Sequence, residues 1–254
     1  MRRLLLALLL LHPPAVWPSD FDATDDYVAV TDAATLDLSS FSLGAWIRVE
    51  AAGEQSILDK RGDASTCASG PEDEGGYQLR VHDAGFPLTL RLVVKTACTE
   101  GTLDYDGIAQ NTWTHVAATF NNSTDVTILY VNGSAVNNGS TAISPVALGN
   151  NDRLLVGDIE SYGNTPPTAF NFNGQIEDAF LFSGALTAQQ IAIIAGSRSH
   201  RMALQFVPNL LLPLDECPSG GTCPANAVDY SANRHTAAYT GSPIGGVAGE
   251  LSYP

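Results

Sequence analysis

From Phe21 onward the chain is a succession of short stretches in which apolar and polar residues alternate. "YVAV" (27–30), "FSLGAWIRV" (41–49), "SILDK" (56–60), "YQLRV" (77–81) and "LTLRLVVKT" (88–96) form a first group. "WTHVAATF" (113–120), "VTILYVNG" (126–133), "RLLVGDI" (153–159) and "GQIEDAFLFSG" (174–184) form a second. Each is alternating or β-branched, and Gly, Pro, Asp or Asn bounds it. A period of two puts one row of apolar side chains on one face of each strand. Many such strands with turn signals between them predict an all-β protein, a two-sheet antiparallel jelly-roll sandwich. One segment breaks the period. "LTAQQIAIIAG" (186–196) reads as a short helix at the sandwich edge, with Thr187 as its cap, Gln190 as capping-box partner and Gly196 as its end.

Residues 113–133 show the pattern at closest range. Trp113 and Val116 alternate with Thr114 and Ala117, and Val126, Ile128 and Tyr130 share a face on the next strand. The polar run "NNSTD" predicts the turn between them, and Asn132-Gly133 predicts a second tight turn.

Charge narrows the partners. The chain has 254 residues, with 12 Lys+Arg against 27 Asp+Glu and a formal net charge of -15. Such a surface repels phosphate backbones, which argues against nucleic acid and suits divalent cations or a basic partner. The N-terminus, "MRRLLLALLLLHPPAVWPSD", places Arg2 and Arg3 before an apolar run too short to span a bilayer. Residues 1–19 therefore read as a secretory signal, the alternative being a retained apolar N-terminal segment. No later stretch has membrane length, so an extracellular location is expected. Cys67, Cys98, Cys217 and Cys223 fit export, because an even number can pair in an oxidising compartment. Four cysteines allow three connectivities. Cys67–Cys98 with Cys217–Cys223 is preferred, the first tying a hairpin and the second a Pro/Gly-rich loop. A zinc site is the rival reading, with no C-x-x-C and no paired His to favour it.

Several motifs in one order carry a resemblance. "FDATDDYVAV", "FSLGAWIRV", "TWTHVAATF…ILYVNG", "LLVGD" and "FNGQIEDAFLFSGALTAQQIAII" resemble laminin G-like modules of the concanavalin A-like lectin superfamily, over about residues 21–196. The resemblance implies one jelly roll over residues 20–206 and leaves its function open among lectins, carbohydrate-binding modules, pentraxin-like and adhesion proteins. The tail, 207–254, contains "LLLPLDE", "AVDYSANRHTAAYTG" and "GVAGELSYP", which resemble the segment that opens such modules. Three arrangements follow: a tail that closes its own domain, a tail donated to a neighbouring subunit, or a truncated second repeat. A loose tail would leave a greasy strand uncovered.

The same resemblance implies calcium, joining an early loop to the late strand. Asp178 is the first ligand by matched motif, then Asp25 or Asp22; hard oxygen donors suit that ion. The bland alternative is that Asp25 and Asp26 shape a turn and that Glu177 or Asp178 faces water from an alternating strand. "GPEDEGG" (70–76), with Glu72, Asp73 and Glu74, is a weaker acidic loop. Glycan binding needs aromatic platforms and amides on a loop rim, and Tyr105, Tyr162, Asn164, Phe170 and Asn173 are the residues of that type. Phe170 and Phe172 alternate, so one of them belongs to the core.

Catalysis finds less support. Glycoside hydrolysis needs paired carboxyl groups across a cleft, and no strand reads E-x-D-x-x-E; Asp158 and Glu160 come nearest. The histidines at 12, 82, 115, 200 and 235 lie outside any G-x-S-x-G, and His115 reads as a packed sheet residue. Arg61-Gly62-Asp63 spells an adhesion tripeptide, but Lys60 through Asp63 matches the K-x-G-D turn of the resembling family, so the tripeptide is read as coincidence. Sequons at Asn121, Asn122, Asn132 and Asn138 fall in predicted turns. The expected function is non-catalytic recognition of a glycan or an extracellular protein. The alternative is a filament or coat subunit polymerising through exchanged terminal strands.

Overall fold

The computed structural model describes residues 16–61, 75–96, 99–143, 150–159, 170–197 and 200–246. In chain order its strands are β1 (Val16–Trp17), β2 (Ser19–Asp22), β3 (Tyr27–Val30), β4 (Phe41–Val49), β5 (Gln55–Asp59) and β6 (Gly76–His82). There follow β7 (Leu88–Thr96), β8 (Thr99–Ile108), β9 (Thr114–Asn121), β10 (Val126–Val131), β11 (Ser134–Gly139) and β12 (Leu154–Val156). The last are β13 (Asn173–Ser183), β14 (Leu210–Leu212), β15 (Cys217–Pro218), β16 (Asn226–Val228), β17 (Thr236–Thr240) and β18 (Ile244–Gly245), with one α-helix, α1 (Ala188–Gly196), after β13 and 3-10 turns at Ala34–Leu36 and His200–Phe206.

Two eight-stranded antiparallel sheets make the sandwich. The first runs β11-β10-β9-β4-β13-β2-β18, with β14 also on β13; the second runs β16-β17-β3-β12-β5-β6-β7-β8. The predicted alternation fills the space between them. Phe41, Leu43, Ala45, Ile47 and Val49 of β4 face Tyr77, Leu79 and Val81 of β6 and Leu88, Leu90, Leu92 and Val94 of β7 in one buried core. Each of the larger aliphatic and aromatic side chains among them contributes about 1.5–3 kcal/mol by leaving water, and Ala45 less.

The outer face of the first sheet is covered as well. Ala117, Tyr130, Phe180 and Phe182 pack there against Ile191 and Ile194 of α1 and against Leu211. The helix therefore lies over a sheet face, where sequence alone suggested the sandwich edge. Gly44 makes room for this layer, since a Cβ there would sit 2.4 Å from the Val116 carbonyl and 2.7 Å from the Phe180 ring. Thr187 and Gln190 form the capping box, the Thr187 N–H donating to Gln190 Oε1 at 2.9 Å. Gly196 is the last helical residue, and Ser197 caps the helix by donating to the Ile193 and Ile194 carbonyls.

The tail pairs with the rest of its own chain at four places, one of them the short β1–β15 ribbon. Leu210–Leu212 lies along β13 at Ala179–Leu181, end to end with β2, which occupies Asn173–Ile176 of the same edge. β17 pairs with β3, and β18 pairs with β2. A disulfide joins Cys217 to Cys223. Cys67 and Cys98, the first fifteen residues, Gly62-Asp63 and the 72–74 acids lie outside the described residues.

Candidate functional site

The turn from β2 to β3 folds back on itself, and Ala23 adopts a left-handed φ of 65° as it does so. This brings carboxylate oxygens of Asp22, Asp25 and Asp26 within 4.8 Å of one another. Asp26 is buried; it accepts the N–H of Ser242 at 2.6 Å and that of Asp22 at 3.2 Å. Burial pushes the Asp26 carboxyl above its usual range, the nearby Asp22 and Asp25 charges adding to this and the two N–H donors opposing it. The tail loop closes tightly over this turn. A Cβ on Gly241, whose φ is +78°, would stand 2.3 Å from Asp26 Oδ1 and 2.7 Å from the Asp25 carbonyl.

Beside the turn lies a cavity of about 360 Å³, lined by Asp20, Asp22, Asp26, Glu50 and Asn173, with Ser242 and Ile244 from the tail. Two sequence-predicted residues of different kinds, Asp22 and Asn173, thus meet at one cleft. Asp178 does not join them. Asn173 is the register partner of Asp22, so Asp178 lies five residues farther along β13, roughly 16 Å at ~3.3 Å per residue. One ion with metal–oxygen distances near 2.4 Å cannot reach both. Asp178 occupies the bulge of β13 with a left-handed φ of 51°, its N–H donating to the Pro213 carbonyl. Burial first, and then the charges of Glu177 and Asp215, push its carboxyl well above the usual range.

A second polar surface covers the outer face of β6, β7 and β8. Because Tyr77, Leu79 and Val81 turn inward, Gln78, Arg80 and His82 turn outward. The same alternation puts Arg91 of β7 and Asp104 of β8 in one row with Arg80. Arg91 and Asp104 form a two-pronged pair at 2.7 and 2.5 Å. Arg61 donates to Asp59 at 2.7 Å and to Glu100 at 3.4 Å. Arg80 makes no ion pair among the described residues; its guanidinium lies over the Phe170 ring, 5.8 Å from the centroid. Arg80 Nε, Gln78 Oε1 and His82 Nε2 are buried atoms without a hydrogen-bond partner.

The remaining predicted ligand residues divide. Phe172 is the core member of its pair, edge-on to Phe21 at 6.4 Å, and Phe170 is the one that meets Arg80. Tyr105 is turned inward and packs against the core, because β8 alternates with Asp104 and Asp106 outward. Tyr162 and Asn164 lie outside the described residues. His115 is 1% exposed, wedged between Trp46 at 5.4 Å and Phe180 at 5.9 Å, and burial lowers its pKa to about 3. It stays neutral in any ordinary buffer, as suits a packed residue. Gln78 and Arg80 lie outside the sequence-predicted set although "YQLRV" carries the signal: the polar half of an alternating strand is a face of its own.

The profile of the concanavalin A-like lectin/glucanases superfamily matches residues 22–192, well over half of the chain. No curated protein matches the sequence. Among solved structures, the chain is similar to a protein from Bacteroides ovatus ATCC 8483 described as a candidate carbohydrate binding protein. The TM-score is 0.60 at 20% identity, over 91% of this chain and 62% of that one. It is also similar to a heptameric SAP-like pentraxin from Limulus polyphemus, with TM-score 0.54, 13% identity, and 71% and 80% of the two chains covered. A third is the CBM40 of a Ruminococcus gnavus IT-sialidase bound to α2,3 sialyllactose, with TM-score 0.51, 14% identity, and 72% and 95% covered. The chain spans less than two thirds of the length of the Bacteroides protein. At these identities the likeness is one of fold.

Proposed function

Given that the chain belongs to the concanavalin A-like lectin/glucanases superfamily, we propose that it is a secreted, non-catalytic module that recognises glycan. The observation that carries this reading is the outer face of β6–β8, where buried donors and acceptors lack partners beside an aromatic ring. A buried polar atom left unpaired costs about 1–3 kcal/mol, and a polyhydroxylated ligand supplies both kinds of partner. The carbohydrate-related descriptions of the Bacteroides and Ruminococcus structures support the same direction. A disulfide fits an oxidising compartment, and no helix among the described residues is long and apolar enough to cross a membrane. The absence of an E-x-D-x-x-E strand in the sequence favours binding over hydrolysis.

Calcium belongs to this proposal as a structural ion. Asp22, Asp25 and Asp26 would hold it; they are an all-oxygen set, and Gly241 keeps the tail loop clear of a side chain that would crowd them. When bound, the ion would offset two of the three negative charges of these adjacent carboxylates and tie the β2–β3 turn. The tail closes its own domain in this reading. A filament subunit is the second reading, because the tail strands occupy sheet-edge places that a neighbour's tail could fill by exchange.

A glycan array probed with and without a calcium chelator tests the function. Binding to a defined glycan class is expected, weakened by the chelator; absence of binding to every glycan, with or without calcium, would count against the reading.

A further inference from the structure

We infer that the β6–β8 face selects a carboxylate-bearing sugar, anchored by Arg80, a deepening that rests on the glycan-binding reading above. Three arginines share this surface in a chain that has only 12 basic residues against 27 acidic ones. Two are already neutralised, Arg61 by Asp59 and Glu100, and Arg91 by Asp104. Arg80 stands between them with no ion pair among the described residues, and its Nε–H is buried and unshared. The charges acting most strongly on it are Glu54, Arg61, Arg91 and Glu100, two of each sign. Asp59 and Glu100 together outweigh Arg61, and Asp104 matches Arg91, so an anionic ligand would be held here by contact with Arg80 and not by a basic field.

A guanidinium prefers a planar carboxylate, which takes two parallel hydrogen bonds with charge assistance. The Phe170 ring beneath it holds that plane in place. The second unsatisfied group narrows the ligand further. Gln78 is fully buried and its Oε1 accepts nothing, while its Nε2 donates to Ser56 at 3.3 Å. This oxygen has almost no exposed surface, so a ligand's donor reaches it only as the side chains over it part. Two residues along one strand face separate it from Arg80, roughly 7 Å, a distance one sugar ring with a carboxylate arm can bridge. A simple anion brings no donor and a neutral sugar brings no charge; a sugar acid brings both.

The test is calorimetric titration of the full chain with matched pairs: 3′-sialyllactose against lactose, trigalacturonate against its methyl ester, and lactose 3′-sulfate as the tetrahedral anion. At least one carboxylate is expected to bind tenfold or more tightly than its neutral partner, with affinity falling as salt rises. Arg80→Gln should remove that preference while leaving the melting temperature within a few degrees. If that variant is unstable, the acid-to-neutral ratio and its salt dependence on the unaltered chain decide alone. Neutral members binding as tightly as acids, or a preference that survives Arg80→Gln, overturns the inference and leaves glycan recognition standing. Tighter binding of the sulfate than of any carboxylate also overturns it. No binding of any of the five sugars, together with a blank glycan array, removes the parent reading as well.

Discussion

Lys60 places a fully buried ammonium in a cage of oxygens: Asp32 Oδ1 at 2.8 Å, Asn150 Oδ1 at 2.9 Å, the Asp152 carbonyl at 2.7 Å and the Asn150 carbonyl at 3.2 Å. Asp37 completes an ion pair at 3.3 Å. In the sequence this lysine is only part of a turn motif, since nothing local announces that residues 32, 37, 150 and 152 converge on it. Lys60→Met leaves those oxygens without a cation, and removing one member of a buried pair costs about 3–5 kcal/mol. The loss should fall near the lower end, because Asp32 and Asp37 keep 30% and 28% exposure; urea denaturation measures it. Asp229 plays the converse part in the tail. It is buried and accepts from the N–H groups of Ser231, His235 and Leu211, the Ser231 hydroxyl and the His235 ring. Burial alone would raise its pKa, but these donors together hold it below the ordinary 3.8. A depressed carboxylate contributes stability that is present above 3.8 and is lost as pH falls through the lower folded value. Asp229→Asn should therefore flatten the acid limb of a melting-temperature profile below about pH 4, and an unchanged limb would show that the tail latch does not titrate. For the acidic turn, calcium at a hundredfold its Kd should add about 2.7 kcal/mol of stability. Asp25→Asn should abolish the shift; magnesium, which dehydrates reluctantly, should give less.

Elements differ in how openly the sequence declares them. Strands with large residues on their inner face, such as β4 and β7, are legible as strict alternation. β8 is not: "TEGTLDYDGI" turns Gly101, Leu103, Tyr105 and Ile108 inward, only one of them a fully buried large apolar residue, and its outward acids read as loop. Missing that strand is also what made Tyr105 look like a surface aromatic. β11, "SAVNNG", hides for the same reason at the edge of the other sheet. The Asn132-Gly133 turn was legible because its chemistry is local: both residues take left-handed φ values, 49° and 77°. The helix start was legible too, and its worth can be measured. Thr187→Ala removes one side of the capping box and should cost about 1 kcal/mol, read as a lower denaturation midpoint. The acidic cleft was half legible: the carboxylates of the turn are neighbours in sequence, but their meeting with Asn173 and the tail depends on sheet register. Asp178 was drawn into the same site by motif order, and distance along β13 separates it.

At the scale of the whole molecule, the two sheets need the tail. β14 continues the edge that β2 leaves half covered on β13, and β16 and β17 extend the second sheet beyond β3. Deleting 207–254 would expose the edge of β13 and the face of Phe180, so the truncated chain should not fold as a monomer. Closure within one chain and exchange between chains use the same hydrogen bonds and differ only in the molecule that supplies them. Concentration separates the two. The most direct measurement is the urea midpoint of the full-length chain across a thousandfold range of protein concentration, with light scattering at each end. A self-closed sandwich gives a monomer and one unchanging midpoint. A midpoint that climbs with concentration, alongside a dimer or longer species, would mean that the tail belongs to a neighbour.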